Sequence, residues 1–447
     1  MRKRSVAMLV FVLILSLLVA ACGGSGGGSG NSSNPGGNSG SSQAGGSNAG
    51  SSGSGEKVTI KMFQFKVEIA EQLASLIEEY EKLHPNVNIE LETVGGGADY
   101  GAALKAKFNS GDKPDIFNNG GFSELDLWIE HLEDLTDEPW VANLVDAAKP
   151  PMTKDGRLYG MPVNLEGYGY IYNKDLFAKA GITETPKTLD ELRAAAQKLK
   201  DAGITPFING YAEWWVLGNH FINIPFAQQP DSEAFIKGLY DGTAKIPGND
   251  VFNQWVDLFD LTLEYGQPNP LQTDYNTEVS EFAIGKAAMT QQGNWTQVAI
   301  SETNPDINIG FLPMPINNDA GAMDKLPVGV PSNWVVHKNS PVKEEAKAFL
   351  NWMVTSDIGQ RYITEEFKFI PAFTNISAPE SVLGQLAADI IKYSQEGKTL
   401  TWNWFKFPNG EASSNLFADT MQAYIGGQIS KDQMFERLQK SWEEMSR

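Results

Sequence analysis

One cysteine stands in 447 residues. With Cys22 alone, no disulfide can close within the chain, and with four histidines scattered at His84, His131, His220 and His337 no Cys/His metal site is supported by spacing. We expect neither a metal nor any other cofactor. A phosphate-cradling GxxxxGK[ST] stretch is missing as well, so ATP hydrolysis by this chain is not expected. Basic residues are outnumbered: the net charge of −20 argues against nucleic acid as a partner and against broad adsorption to anionic lipid. The apolar run from Val6 to Val19 is short for a membrane span. From Gly23 to Gly55 the chain has no aliphatic side chain larger than alanine and cannot bury enough surface to fold.

What is present begins with Arg2, Lys3 and Arg4 ahead of that apolar run, the pattern of a secretory signal over residues 1–21. The stretch Val19-Ala20-Ala21-Cys22 resembles the lipobox of bacterial lipoproteins. That resemblance implies cleavage before Cys22 and acylation of its thiol. A buried thiol inside a retained anchor helix is the alternative, and it fits poorly with so short a run flanked by small residues. Residues 22–56 then form a lipidated cysteine and a Gly/Ser/Asn-rich linker with a reach on the order of 30 Å. The folded body is expected on the outer face of a bacterial cytoplasmic membrane, touching it through lipid alone.

The remaining residues exceed what one core usually covers, so two lobes are expected. "VTIKMFQF" (58–65) reads as a strand, and Ile69, Leu73, Leu76, Ile77, Tyr80 and Leu83 share one helical face stopped at Pro85. "VNIELETV" (87–94) and "PDIFNN" (114–119) read as further strands, with a helix over Ala102–Phe108 between them. This alternation predicts a mainly parallel α/β sheet. The pattern restarts with a capping box at Thr188 and Glu191, then "ITPFING", "KAAMTQQG" and "INIGFLPMP" as strands, and it closes on a helix capped by Ser430 with Gln433.

"GRLYGMPVNLEGYGYIYNKDLF" (156–177), "GKAAMTQQGNW" (285–295), "IGFLPMP" and "VKEEAKAFLNWMVTSDIGQRYIT" together resemble the extracellular solute-binding proteins of carbohydrate ABC importers, the family that includes maltodextrin-binding protein. The resemblance implies a two-lobed, periplasmic-binding-protein-like fold of type II. Each lobe would be a mainly parallel sheet flanked by helices, with hinge crossovers between them and a sugar in the cleft. It places lobe one at 57–165 plus 312–366 and lobe two at 167–310 plus 370–447.

A pyranose presents an apolar face of C–H groups, which an aromatic ring covers, and a rim of hydroxyls, which carboxylates and amides bind. Eleven tryptophans are available, all from Trp128 onward. Trp295 occupies the place where the family's GxW tryptophan stacks on sugar. Glu166, in the first crossover, matches a family glutamate that contacts sugar hydroxyls, a solvated hinge carboxylate being the alternative. Tyr168 either lines the cleft or packs beneath it. "NGYAEWW" (209–215) offers Glu213, Trp214 and Trp215, of which one tryptophan is expected to be structural because adjacent side chains leave a strand or helix in different directions. Asn118 and Asn119 end the third strand where maltodextrin-binding protein carries an aromatic and an acid, and Gln64 and Phe65 end the first. The family's C-terminal aromatic aligns near Ser414, so Trp402 or Trp404 of "TWNWF" stands in for it. Trp334 faces either the cleft or the sheet.

Two lobes and a hinge imply capture by closure, with sugar shifting an open–closed equilibrium before delivery to the transmembrane subunits of an ABC permease. The expected protein is a monomeric receptor and not an enzyme. Peptide, polyamine or ferric ion as cargo keeps the fold and changes the ligand. A secreted glycosidase would use the same carboxylates, but Glu166 and Glu213 carry no acid–nucleophile signature.

Overall fold

The computed structural model describes residues 57–447. The expected signal segment, Cys22 and the whole Gly/Ser/Asn-rich linker lie outside the described residues.

The strands β1 (Val58–Gln64), β2 (Val87–Thr93) and β3 (Ile116–Asn119) pair in parallel with β1 in the middle. Helix Ala70–Leu83 buries Leu73, Leu76, Ile77 and Tyr80, four of the residues whose spacing marks its apolar face. A hairpin of β4 (Thr153–Lys154) and β5 (Arg157–Leu158) turns at Asp155-Gly156, both at positive φ, the geometry that a two-residue Asp-Gly turn favours. After β6 (Met161–Pro162) the chain leaves this sheet.

It enters the second sheet through β7 (Glu166–Asn173), a strand buried along its whole length. Tyr168, Tyr170 and Tyr172 pack into one core and Ile171 into another, so both faces of β7 are covered. Gly169 is obligatory here, because a Cβ would sit 2.5 Å from the Leu312 carbonyl oxygen of the neighbouring strand. The strands β8 (Thr205–Ile208) and β9 (Ala287–Gly293) pair in parallel, and β9 lies antiparallel to β7. On the other edge of β7 lie β10 (Ile309–Leu312) and β11 (Leu326–Gly329), both antiparallel to it.

The chain then returns to the first sheet as β12 (Asn333–Val336), antiparallel to both β3 and β6, and leaves it again toward β13 (Thr399–Leu400), which joins β11. The sheets are therefore mixed and not mainly parallel. β7 runs antiparallel to β9, β10 and β11, and β12 returns antiparallel to β3 and β6; strand direction is set by which distant segments pair, which the local strand-helix alternation does not report.

Three crossings run side by side. Val163 N–H donates to Ser332 O at 3.0 Å, and Leu165 N–H to Ile370 O at 2.9 Å, so the first crossing is hydrogen-bonded to both others. Two expected boundaries move. Met314, Ile316, Met323 and Leu326 pack in the second lobe, whereas Phe369, Phe373 and Ile376 pack in the first. The breaks at 312 and 366 followed motif ends, but the second crossing falls after Gly329, and the third is spread over 370–383, where Ile370 and Leu383 pack in the second lobe while Phe373 and Ile376 between them pack in the first.

Candidate functional site

The carboxyl ends of β1 and β3 open onto a crevice facing the second lobe, as strand ends in α/β sheets generally do. This cleft encloses about 1150 Å³, its mouth included, and is lined from both lobes.

From the first lobe come Phe65, Lys66, Asn118 and Asn119. Gln64 does not reach the cleft. Its amide is spent on the turn that follows β1, accepting from Lys66 N–H at 2.6 Å and donating to Lys66 O at 3.0 Å and to Thr93 Oγ1 at 2.6 Å. Asn118 Oδ1 accepts from Phe65 N–H at 3.2 Å, and its Nδ2 has no partner. Asn119 uses both ends of its amide on the loop that follows, with Gly121 N–H at 2.8 Å and Glu124 O at 3.3 Å.

Glu166 lines the cleft but is not a solvated hinge group. It is buried, and its Oε1 accepts from Lys66 Nζ at 2.5 Å and from Asn164 Nδ2 at 3.0 Å. Lys66 also contacts Glu68 at 2.9 Å, which makes an ion triad at the hinge end of the cleft. Burial works against the Lys66 ammonium, but the charges of Glu166 and Glu68 outweigh it and hold its pKa above the ordinary lysine range. Nothing local to Lys66 announces this role, because the buried carboxylate it pairs with, Glu166, arrives from the first crossing.

From the second lobe come Trp214, Trp215, Trp295, Trp402 and Trp404. Trp402 and Trp404 stack with centroids 4.5 Å apart, while Trp295 meets Trp215 edge-on at 6.2 Å. Trp295 lies against Gly293, where any Cβ would fall 2.0 Å from its ring. Both Trp214 and Trp215 line the cleft, against the expectation that one would be structural. Consecutive helical residues diverge by about 100°, and a concave wall takes both.

Three more expected residues lie off the cleft. Tyr168 packs beneath its floor, fully buried, its hydroxyl donating to His220 O at 3.1 Å and accepting from Asn223 Nδ2 at 3.0 Å. Glu213 accepts from Tyr275 N–H at 2.9 Å and sits against Gly97 of the first lobe. Trp334 is buried in the first lobe's core, because β12 is covered where it pairs with β3.

His220, Tyr275, Glu124 and Phe405 line the cleft and were missed. A wide π-helical turn over Val216–Phe221 delivers His220, a backbone form common at functional sites and invisible to a 3.6-residue period. Its ring stacks on Tyr168 at 4.4 Å and approaches Trp295 at 5.1 Å. Burial among these rings pushes its pKa down to about 3, against a hydrogen bond with Gln291, so the imidazole stays neutral. Glu124 Oε2 accepts from Gly120 N–H at 2.7 Å, and burial pushes its carboxyl above the ordinary range. Among the described residues no group of three His, Cys, Asp or Glu side chains could hold a metal ion.

Two lobes joined by three hydrogen-bonded crossings, with a deep aromatic cleft between them, define a two-lobed solute-binding fold of type II. The family model of bacterial extracellular solute-binding proteins matches residues 66–360, and the chain belongs to that family. It is 26% identical over 318 residues to the multiple sugar-binding protein of Streptococcus mutans, which spans 69% of this chain and 73% of that protein. To the maltotriose-binding protein of Pyrococcus abyssi it is 26% identical over 308 residues, 68% of this chain and 63% of that one. Among solved structures, RafE in complex with raffinose superposes with a TM-score of 0.76 at 23% identity, over 87% of this chain and 100% of that one. A sugar transporter of Bacillus licheniformis in complex with stachyose gives 0.74 at 24%, over 87% and 100%. At these identities the likeness to the solved structures is one of fold.

Proposed function

We propose that this protein is the sugar receptor of an ABC importer, capturing a mono- or oligosaccharide between its lobes and handing it to a membrane permease. The observation that carries the reading is the cleft wall. Indole rings from three separate segments stand around polar atoms with no partner in the fold, among them Asn118 Nδ2, Trp214 Nε1 and Tyr275 Oη. Stacking surfaces beside unspent donors suit the two faces of a pyranose. The names of the relatives support the same cargo. Acylation at Cys22 would hold the receptor at the outer membrane face, and no helix among the described residues is long and apolar enough to cross a bilayer.

The residues we assign to sugar are Phe65, Asn118, Glu166, Trp214, Trp215, Trp295, Trp402 and Trp404. Gln64, Asn119, Tyr168 and Glu213 act through the residues they position. The role is binding without catalysis: Glu166 is committed to Lys66 and Glu213 to a backbone amide, which leaves neither free to act as acid or nucleophile.

Thermal unfolding in the presence of raffinose, stachyose, maltotriose, a dipeptide and spermidine tests the assignment. A bound sugar at a hundredfold excess over its dissociation constant stabilises the native state by about 2.7 kcal/mol, and Trp295→Ala abolishes the shift. A shift with the dipeptide or spermidine and with none of the sugars would replace the cargo while keeping the fold.

A further inference from the structure

The charges facing the cleft are unequal. Among its described lining residues the ionisable groups other than tyrosine are Lys66, His220, Glu68, Glu124 and Glu166. The Lys66 ammonium is engaged by Glu166 and Glu68 and its side chain is only 2% exposed, so it offers no free cation to a ligand. His220 is neutral. Among the described residues Glu124 forms no ion pair, Lys105 acting on it only from beyond contact, and its carboxylate accepts from the Gly120 amide. Its carboxylate stands where the lobes meet, 3.3 Å from the position a Cβ on Gly410 would take and beside the Phe405 ring that covers Gly120. The donors left over in the cleft, Asn118 Nδ2, Trp214 Nε1 and Tyr275 Oη, are all uncharged.

We propose that the cleft selects uncharged or amino-bearing glycans and rejects acidic ones, with Glu124 and Glu68 as the residues that set this choice. The inference rests on the sugar-receptor reading and deepens it. A hydroxyl or an ammonium donates to a carboxylate, and charge-assisted bonds of this kind are the strong ones. A uronate, sulfate or phosphate brings acceptors only. It would be desolvated next to negative charge with no free cation among the described lining residues to answer it, and like-charge juxtaposition of that kind is strongly unfavourable.

The test is calorimetric titration of the protein with matched pairs: galactobiose and digalacturonate, xylotriose and its glucuronic-acid-substituted form, chitobiose and its de-N-acetylated form. A salt concentration of about 0.15 M screens the long-range field of the whole chain. Where a neutral member binds, its acidic counterpart should bind at least about tenfold more weakly and its amino counterpart at least as tightly. Glu124→Gln should narrow the acidic-to-neutral gap to within about threefold. Glu68→Gln, which leaves Lys66 paired with Glu166, serves as a second variant that leaves the Gly120 turn intact. An acidic member binding within about threefold of its neutral counterpart overturns the inference and leaves the sugar receptor standing. So does an unchanged gap in both folded variants. If no sugar of either kind binds in any arm and raffinose, stachyose and maltotriose also leave the unfolding midpoint unmoved, the receptor reading itself falls and carries this inference with it.

Discussion

At the scale of single residues the hinge end of the cleft depends on one ammonium. Lys66 stands between Glu166 and Glu68, and removing one partner of a buried ion pair leaves the other as an uncompensated charge. Lys66→Met is therefore expected to lower stability by about 3 kcal/mol near neutral pH, read by chemical denaturation. The loss should shrink as the pH falls and the stranded carboxyls take up protons, and Lys66→Met with Glu166→Gln should recover most of it. A loss that does not change with pH would mean that packing, and not charge, holds this corner. Trp295 and Glu166 were legible in the sequence because each sits in a motif with a family counterpart. Lys66 and His220 were not, since nothing local to "FQFKV" or "LGNHF" says that the fold will bring them, from opposite lobes, to one cleft.

Elements supply the second scale. Helix Tyr275–Ala283 and β9 are locked together by one buried carboxylate. Glu278 accepts from Thr290 Oγ1 at 2.6 Å and from Gln292 Nε2 at 2.7 Å. Burial pushes its pKa up to about 7, against these hydrogen bonds, and the nearby Glu213 adds to the rise. A carboxyl raised in the fold is bound more tightly by its proton there than in the unfolded chain. Its contribution is thus fully present below the unfolded value of about 4.5 and is lost as the pH rises through about 7. The stability of the native protein relative to Glu278→Gln should grow by up to about 3 kcal/mol between about pH 8 and pH 4.5. Urea unfolding of both across that range checks it, and parallel pH profiles would refute it. Both capping boxes and the main helices were readable from local spacing. The π-helical turn at Val216–Phe221 was not, because its irregular register answers to packing around His220 and Trp295.

Closure belongs to the whole molecule. The lobes meet at glycines: a Cβ on Gly97 would lie 2.8 Å from Glu213 Oε2, and one on Gly120 would lie 2.6 Å from the Phe405 ring. These contacts set the backbone of one lobe against side chains of the other, far apart in sequence. Gly120→Ala should hold the lobes apart. Apparent ligand affinity would then fall by about tenfold through loss of the closed population, while the unfolding midpoint without ligand barely changes. Titration with whichever sugar stabilises the parent protein, alongside small-angle scattering of the liganded form, measures both. Unaltered affinity together with a compact liganded form would show that Phe405 yields and that closure does not pass through this contact.

The amino-acid sequence by itself determined the class of fold, the helix faces and caps, the strands read at 58–65, 87–94 and 114–119, and the tryptophans at Trp295, Trp402 and Trp404 that turn toward the cleft. These follow from periodicity, capping chemistry and motifs, which act over a few residues. Tertiary structure alone decided the rest. It set the antiparallel directions of β7 and β12, the points where the chain changes lobes, the burial of Tyr168 and Trp334 away from the cleft, and the ion triad that commits Glu166 to Lys66. Each of these depends on which distant segment arrives opposite, and burial and charge pairing are properties of that meeting.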